Sequence, residues 1–376
     1  MQSGKSSATS PPVTLRELNR ATLARQMLLT RVERSAVSAL ECLAGLQAQW
    51  SPSPYIALWS RLRNFQLADL ERALGERRVV KATLMRGTLH LVSAQEFPRY
   101  VAATRNPGHA TWTAKARGQG INTERLREEI ILFATEQPRT REEILAFLAD
   151  QAPTVEGSRW ERWRIMGEYG DLVHVPPGGL WRSHGSPRFA PVRHWLPDAV
   201  EAETSAGYVH LVRRYLGAFG PASRADIASW SGQPLVRLTP ALHALAPELV
   251  TFRDHEGRLL YDLIDAPRPP AATPAPVRFL PKWDNLLLAY QDRTRILPEA
   301  YRKTVIRING DVLPTFLLDG VVAGAWDVAR RRGEATLRLS PFAAMQPANR
   351  EALEAEGEAL LHLIEPDATG YAVATD

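Results

Sequence analysis

Two pentapeptides, Thr140-Arg141-Glu142-Glu143-Ile144 and Ser223-Arg224-Ala225-Asp226-Ile227, decide how the chain is parsed. Each opens with a hydroxyl residue suited to a helix N-cap and carries an acid three positions on. The hydroxyl can serve the unpaired N–H groups of the first turn while the acid reaches back, forming a capping box. The arginines and isoleucines fall at the same offsets. Before each box lie a helical run and a proline turn: 123–135 then Gln137-Pro138-Arg139, and 208–219 then Gly220-Pro221. After each come a further helix, 158–169 or 234–246, and a strand pair. The strand pairs are 172–192, turning at Pro177-Gly178-Gly179, and 249–263, turning at Glu256-Gly257. Helices closed by a β-hairpin wing and repeated in tandem are the plan of a winged helix, and regular spacing is what carries it.

Toward the N-terminus the same plan recurs. Leu15, Leu18 and Leu23 mark one helical face; Val37, Leu40, Leu43 and Ala44 mark another that ends near Gly45. A helix over 55–63, a short one over 66–75, and a hairpin of 79–84 and 88–92 turning at Arg86-Gly87 complete a first unit. The expected organisation is a Ser/Thr/Pro/Gly-rich disordered leader over 1–12, then winged-helix units over 13–120, 121–200 and 201–265. A proline-rich linker over 266–276 leads to a β-rich C-terminal region, 277–376. That region is expected to hold strands at 305–308, 315–318 and 335–339 and a final helix over 347–363. The fold class is α+β, mainly helical, with three winged-helix units and a small β-rich end.

The chain's 376 residues exceed what one hydrophobic core usually supports. No run approaches the roughly 18 apolar residues of a membrane span, and no apolar signal core opens the chain, so a cytoplasmic protein is expected. Cys42 is alone, which excludes a disulfide framework, and no Cys/His cluster suits zinc. The net charge is +5, with lysine confined to Lys5, Lys81, Lys115, Lys282 and Lys303. Arginine fits phosphate bidentately, but genomic base composition enriches it equally, so charge alone does not choose DNA. The absence of Gly-x-Ser-x-Gly, a phosphate loop, a dinucleotide fingerprint and His-Glu-x-x-His leaves nucleotide hydrolysis, hydride transfer and metalloprotease chemistry without support.

One local feature is odd. In Leu46-Gln47-Ala48-Gln49-Trp50-Ser51-Pro52-Ser53-Pro54-Tyr55 the chain leaves a helix and enters a loop whose prolines disfavour helix in the residues before them. On extended backbone Gln47 and Gln49 point the same way, and two carboxamides side by side can hold one water. Glutamines capping carbonyls at a helix end explain the same pair without any chemistry.

The ordered strings Gly45-Leu46-Gln47-Ala48-Gln49, Arg86-Gly87-Thr88-Leu89-His90, Tyr215-Leu216-Gly217-Ala218-Phe219-Gly220-Pro221, Trp283-Asp284-Asn285-Leu286-Leu287 and Asp292-Arg293-Thr294-Arg295 resemble the winged-helix DNA glycosylases of the AlkZ/YcaQ family. The resemblance spans nearly everything from Thr14 onward. It implies a concave, basic scaffold, no metal or nucleotide cofactor, and a catalytic Gln-apolar-Gln motif. Here that motif is Gln47-Ala48-Gln49, which is similar to the AlkZ branch of self-resistance enzymes against DNA-alkylating natural products.

The same resemblance sets Arg86, Thr88 and His90 on a DNA-facing wall and adds Arg293 to the DNA contacts; for His90 a purely structural histidine is the competing reading. Trp50 and Tyr55 are candidates to stack on a cationic base or an aromatic adduct, with core packing as the alternative. Arg330, Arg331 and Arg332 precede Gly333 at a hairpin tip that reads as a groove probe or as a solvated turn. Asp284 and Asp292 read as scaffold acids paired with Lys282, Arg293 or Arg295. The expected function is a monomeric, monofunctional glycosylase acting on double-stranded DNA bearing cationic alkylated purines, including bulky adducts and crosslinks. A winged-helix regulator that binds a defined sequence, and a protein that sequesters free genotoxin, remain as alternatives.

Overall fold

The computed structural model describes residues 12–105, 111–163, 170–182 and 186–375. The expected leader, apart from Pro12, and the end of the helix expected over 158–169 lie outside them. The described chain mixes helices with two main sheets and one separate hairpin.

Both pentapeptides cap helices as the spacing predicts. Thr140 and Ser223 accept from the N–H groups of Glu143 and Asp226, whose carboxylates return the bond to the cap. The first box starts helix Arg141–Gln151 and the second starts helix Arg224–Ser231. Their wings differ. β7 (Leu249–Arg253) and β8 (Leu259–Leu263) form an isolated two-stranded hairpin. The other strands join a six-stranded sheet ordered β1-β3-β2-β5-β6-β4. Its members are β1 (Leu46–Gln47), β2 (Val79–Thr83), β3 (Leu89–Ser93), β4 (Arg139–Thr140), β5 (Leu172–Val175) and β6 (Arg188–Pro191). The two halves meet where Lys81 of β2 pairs with His174 of β5.

The C-terminal sheet is ordered β13-β12-β11-β10-β9: β9 (Arg278–Leu280), β10 (Thr315–Leu318), β11 (Val321–Arg331), β12 (Glu334–Pro341) and β13 (Gly370–Thr375). β13 runs parallel to β12, which requires a crossover, and helix Pro347–Ile364 supplies it while burying Leu353, Leu360 and Leu361 against the sheet. The strand expected over 305–308 is not formed. Helix Glu299–Val305 ends there and the chain turns, because Arg307 and Gly310 share a turn hydrogen bond that strand pairing would forbid.

The proline-rich stretch 266–276 carries neither helix nor strand, yet it is not a loose tether. Arginines of helix Leu15–Arg25 strap it down: Arg16 Nε donates to the Ala271 carbonyl at 2.8 Å, Arg20 Nε to Thr273 at 2.6 Å, and Arg25 Nη2 to Pro267 at 3.2 Å. Asn19 Nδ2 reaches the carbonyls of Arg295 and Gly320, each at 2.8 Å, so the C-terminal region packs directly on the first helix. Among the described residues no helix is long and apolar enough to cross a membrane.

Candidate active site in the cleft beside β1

Gly45 sets the geometry. Helix Ala36–Cys42 ends through Ala44 and Gly45, both at positive φ, and the Gly45 N–H returns to the Leu40 carbonyl at 2.8 Å. A Cβ on Gly45 would stand 2.9 Å from the Leu91 carbonyl oxygen, so only glycine lets β1 leave the helix so close to β3. From there the strand alternates. Leu46 and Ala48 turn into a core with Leu40, Leu43 and Leu58, which places Gln47 on the other face.

Three residues fix Gln47 from behind. Its N–H donates to Asn285 Oδ1 at 3.0 Å, while Asn285 Nδ2 donates to the Gly45 carbonyl, so one carboxamide clamps both ends of the turn into β1. Across the ladder Gln47 pairs with His90. Its Oε1 accepts from Arg86 Nη2 at 2.8 Å, and the same guanidinium donates to the Trp230 carbonyl. Gln49, which is exposed, is held by the Leu89 N–H donating to its Oε1 at 2.9 Å. Both partners are donors only, so both oxygens are assigned and neither amide is free to flip. Each oxygen keeps a second lone pair, and neither Nε2 has a protein partner among the described residues. The pair can therefore take a water as acceptor and donor at once.

Arg86 sits in the left-handed region with φ of 56°, at the turn between β2 and β3, and Gly232 makes room for it. A Cβ on Gly232 would lie 2.9 Å from the Arg86 Cα. Burial, with Arg293 nearby, lowers the Arg86 guanidinium to about 10, so it stays charged at neutral pH. Arg86 is thus occupied with orienting Gln47 and also lines the cleft. Arg293 gives its Nε to the Leu287 carbonyl at 2.8 Å and adds positive potential; burial and Arg302 lower its own pKa.

Gln47, Gln49, Arg86 and Thr88 share one open cleft of about 510 Å³ with Trp283, Leu288, Asn309, Gly310 and Asp311. The far wall is a loop held by Trp283, whose Nε1 donates to the Gly310 carbonyl at 3.0 Å, and by Lys282, 3.0 Å from Asp311 Oδ1. Among the described residues no lysine lines the cleft, and no group of three or more His, Cys, Asp or Glu is placed to hold a metal.

Other expected site residues stand elsewhere. Tyr55 is wholly buried, donates to the Gly179 carbonyl at 3.0 Å and packs edge-on against Trp181, so it is core and not a stacking platform. The prolines expected to keep this stretch in a loop instead begin helix Pro52–Arg61, since a first turn has no N–H partner to lose. Trp50 is exposed beside Gln49 but is not among the cleft-lining residues.

His90 is also sealed from DNA. Its Nδ1 lies 3.0 Å from the Thr88 carbonyl and so carries the proton; burial and the Arg86 charge push the ring down to about 3, leaving it neutral. It backs Gln47 and lines no DNA-facing wall. Arg330 is engaged by Glu365 at 2.8 Å, whereas Arg331 and Arg332 stand exposed at the hairpin turn, outside the cleft lining.

The acids keep scaffold roles with other partners than expected. Asp284 forms a fully buried bidentate pair with Arg61 at 2.8 and 3.0 Å and caps helix Asn285–Leu288; Asp292 takes Arg258 and Thr294. Sequence reasoning gives Trp283, Asn285 and Asp311 no role at the site. Only the string Trp283-Asp284-Asn285 points toward the first two, and nothing points to Asp311.

Comparison with known proteins gives the family. The family model described as "DNA glycosylase AlkZ-like" matches residues 40–363. An interstrand DNA cross-link repair glycosylase of Streptomyces sahachiroi is 28% identical over 339 residues, covering 85% of this chain and 88% of that protein. The solved structure of Streptomyces sahachiroi DNA glycosylase AlkZ superposes with a TM-score of 0.78 at 21% identity, covering 96% of this chain and all of that one, which shows a shared fold. The family match spans the β1 cleft, both capping boxes and most of the C-terminal sheet: the chain belongs to the AlkZ-like DNA glycosylase family.

Proposed function

We propose that this protein is a monofunctional DNA glycosylase that hydrolyses the N-glycosidic bond of cationic alkylated purines, of the N7-alkylguanine type, including bulky adducts and interstrand crosslinks. Its scaffold is read as three winged-helix units, on the strength of the two capping boxes, the paired strands that follow them and the hairpin β2–β3. The observation that carries the catalytic reading is the cleft in which Gln47 and Gln49 lie together with both carboxamides pinned. The crosslink substrate is suggested by the Streptomyces sahachiroi relative, an interstrand DNA cross-link repair glycosylase.

The chemistry suits such a site. Alkylation at the ring nitrogen makes the purine a good leaving group, and the sugar gains oxocarbenium character as the bond stretches. What remains is to place a water at the anomeric carbon, for which orientation counts more than basicity. The second lone pairs of the two Oε1 atoms accept hydrogen bonds from the water, aiming its own lone pair at the sugar; as the C–O bond forms and the C–N bond breaks, the surplus proton passes to bulk water through the open cleft. Arg86 and the Leu89 N–H keep that aim fixed and draw off part of the carbonyl dipoles, which makes positioning the larger contribution. A neutral amide is no full base, so uncharged purines are spared. Among the described residues no lysine lines the cleft, and Lys282, the neighbour of the lining residue Trp283, is held by Asp311.

The test is single-turnover excision from a duplex carrying a charged alkylpurine, by the wild type, Gln47→Ala and Gln49→Ala. Removing a positioning group of this kind slows excision by about 10²- to 10⁴-fold. Undiminished excision by both variants refutes the assignment.

A further inference from the structure

The loop that gives Asn309, Gly310 and Asp311 to the cleft ends in an apolar point. A bridge between Ile306 and Val312 closes the loop over 307–311. Inside it the Arg307 N–H donates to the Asp311 carbonyl at 2.8 Å, the Gly310 N–H to the Arg307 carbonyl at 2.9 Å, and the Asp311 N–H to Asn309 Oδ1 at 3.1 Å. Trp283 and Lys282 fasten it from outside. At its apex Ile308 is exposed to 108% of its reference surface, while the next three residues line the cleft.

Single exposed apolar side chains are ordinary on protein surfaces. This one differs in its footing and its company. The loop beneath it is cross-braced, and a β-branched side chain has few rotamers to lose, so little ordering is left to oppose insertion. Arg307 beside it and Lys303 on helix Glu299–Val305 are exposed cations without a partner among the described residues. An apolar tip with a free cation next to it in sequence and another on the preceding helix suits a base step and its phosphates.

We infer that Ile308 is a wedge that enters the base stack next to the lesion, with Arg307 and Lys303 on the flanking phosphates. The inference rests on the glycosylase reading and deepens it. Parting one step turns the anomeric carbon toward Gln47 and Gln49 while the alkyl group stays outside, so an adduct too large for a closed pocket is still served.

The experiment uses the full chain and two duplexes. One carries a non-hydrolysable alkylpurine nucleoside beside a 2-aminopurine whose fluorescence rises on unstacking; the other carries the cleavable lesion. Saturating wild type is expected to brighten the reporter, Ile308→Ala to abolish most of that rise, and Ile308→Leu to retain it. Excision in Ile308→Ala falls by about tenfold and recovers in Ile308→Leu, the scale expected when a single unstacking side chain is removed. The thermal midpoint is unmoved, since the side chain packs on nothing. A wild type that leaves the reporter dark, an Ile308→Ala variant that brightens it equally, or one that excises at the wild-type rate overturns the wedge. If the wild type brightens the reporter through Ile308 yet excises no charged purine, the wedge stands and the catalytic reading fails.

Discussion

At β1 the side chains proposed for chemistry are fixed from behind, while at the tip of the β11–β12 hairpin two of the three proposed DNA-binding arginines stand loose. Gln47 is 6% exposed and has its N–H on Asn285, its Oε1 on Arg86 and His90 across the ladder. Arg331 and Arg332 are exposed at a turn where Arg332 and Gly333 both take positive φ, the geometry of a tight hairpin. The contrast follows from what each region has to meet. A water aimed at one carbon tolerates little error, so its holders are built into a sheet. A phosphate is a broad target, and a flexible cation finds it from several rotamers.

The contrast breaks most visibly at Asn285. Asn285→Ala leaves the Gln47 N–H and the Gly45 carbonyl unpaired in a buried place, at a cost of about 1–3 kcal/mol for each group. With β1 released, excision should fall by about 10- to 100-fold, as it does when a reacting group is misplaced. Chemical denaturation and single-turnover kinetics on the same variant read both effects. Unchanged kinetics in a destabilised protein would mean that the clamp serves folding alone.

At the hairpin the expected effect is smaller and of another kind. Replacing Arg331 and Arg332 together by Ala should weaken DNA binding and lower the slope of log K against log salt by about one for each phosphate no longer neutralised, with excision at saturating protein unchanged. A drop in the saturated rate would show that this tip acts in the chemistry after all. The smallest change belongs to Tyr55. Tyr55→Phe gives up one buried hydrogen bond to the Gly179 carbonyl, worth about 1 kcal/mol, and leaves excision as it was. An altered rate would return Tyr55 to the site.

Local signals are legible in the sequence. The capping boxes at Thr140 and Ser223 and the turns at Glu256-Gly257 and Arg332-Gly333 need only neighbouring residues, and they appear where spacing puts them. Gln47, Gln49, Arg86 and Thr88 share a cleft because one hairpin and one strand carry all four. Long-range matters are not legible. Arg61 finds Asp284 from far along the chain, β13 reaches β12 only through a helix crossover, and the joining of two strand pairs into one sheet rests on the Lys81–His174 pairing. Tyr55 departs from its expected place because a helix beginning at Pro52 turns it inward, where an extended loop would leave it facing solvent. Ile308 reads as the end of a strand until the turn beneath it is seen.

The most direct test is the pH–rate profile of single-turnover excision for the wild type and the Gln47→Ala/Gln49→Ala double variant on a duplex with a charged alkylpurine. His90, held down to about 3, stays neutral across the range, and the amides do not titrate. The account predicts a wild-type rate that is level from about pH 5 to 8, where an ordinary histidine base would titrate, and that collapses in the double variant. A rate that climbs through a titrating group, or a double variant that excises as fast as the wild type, contradicts it.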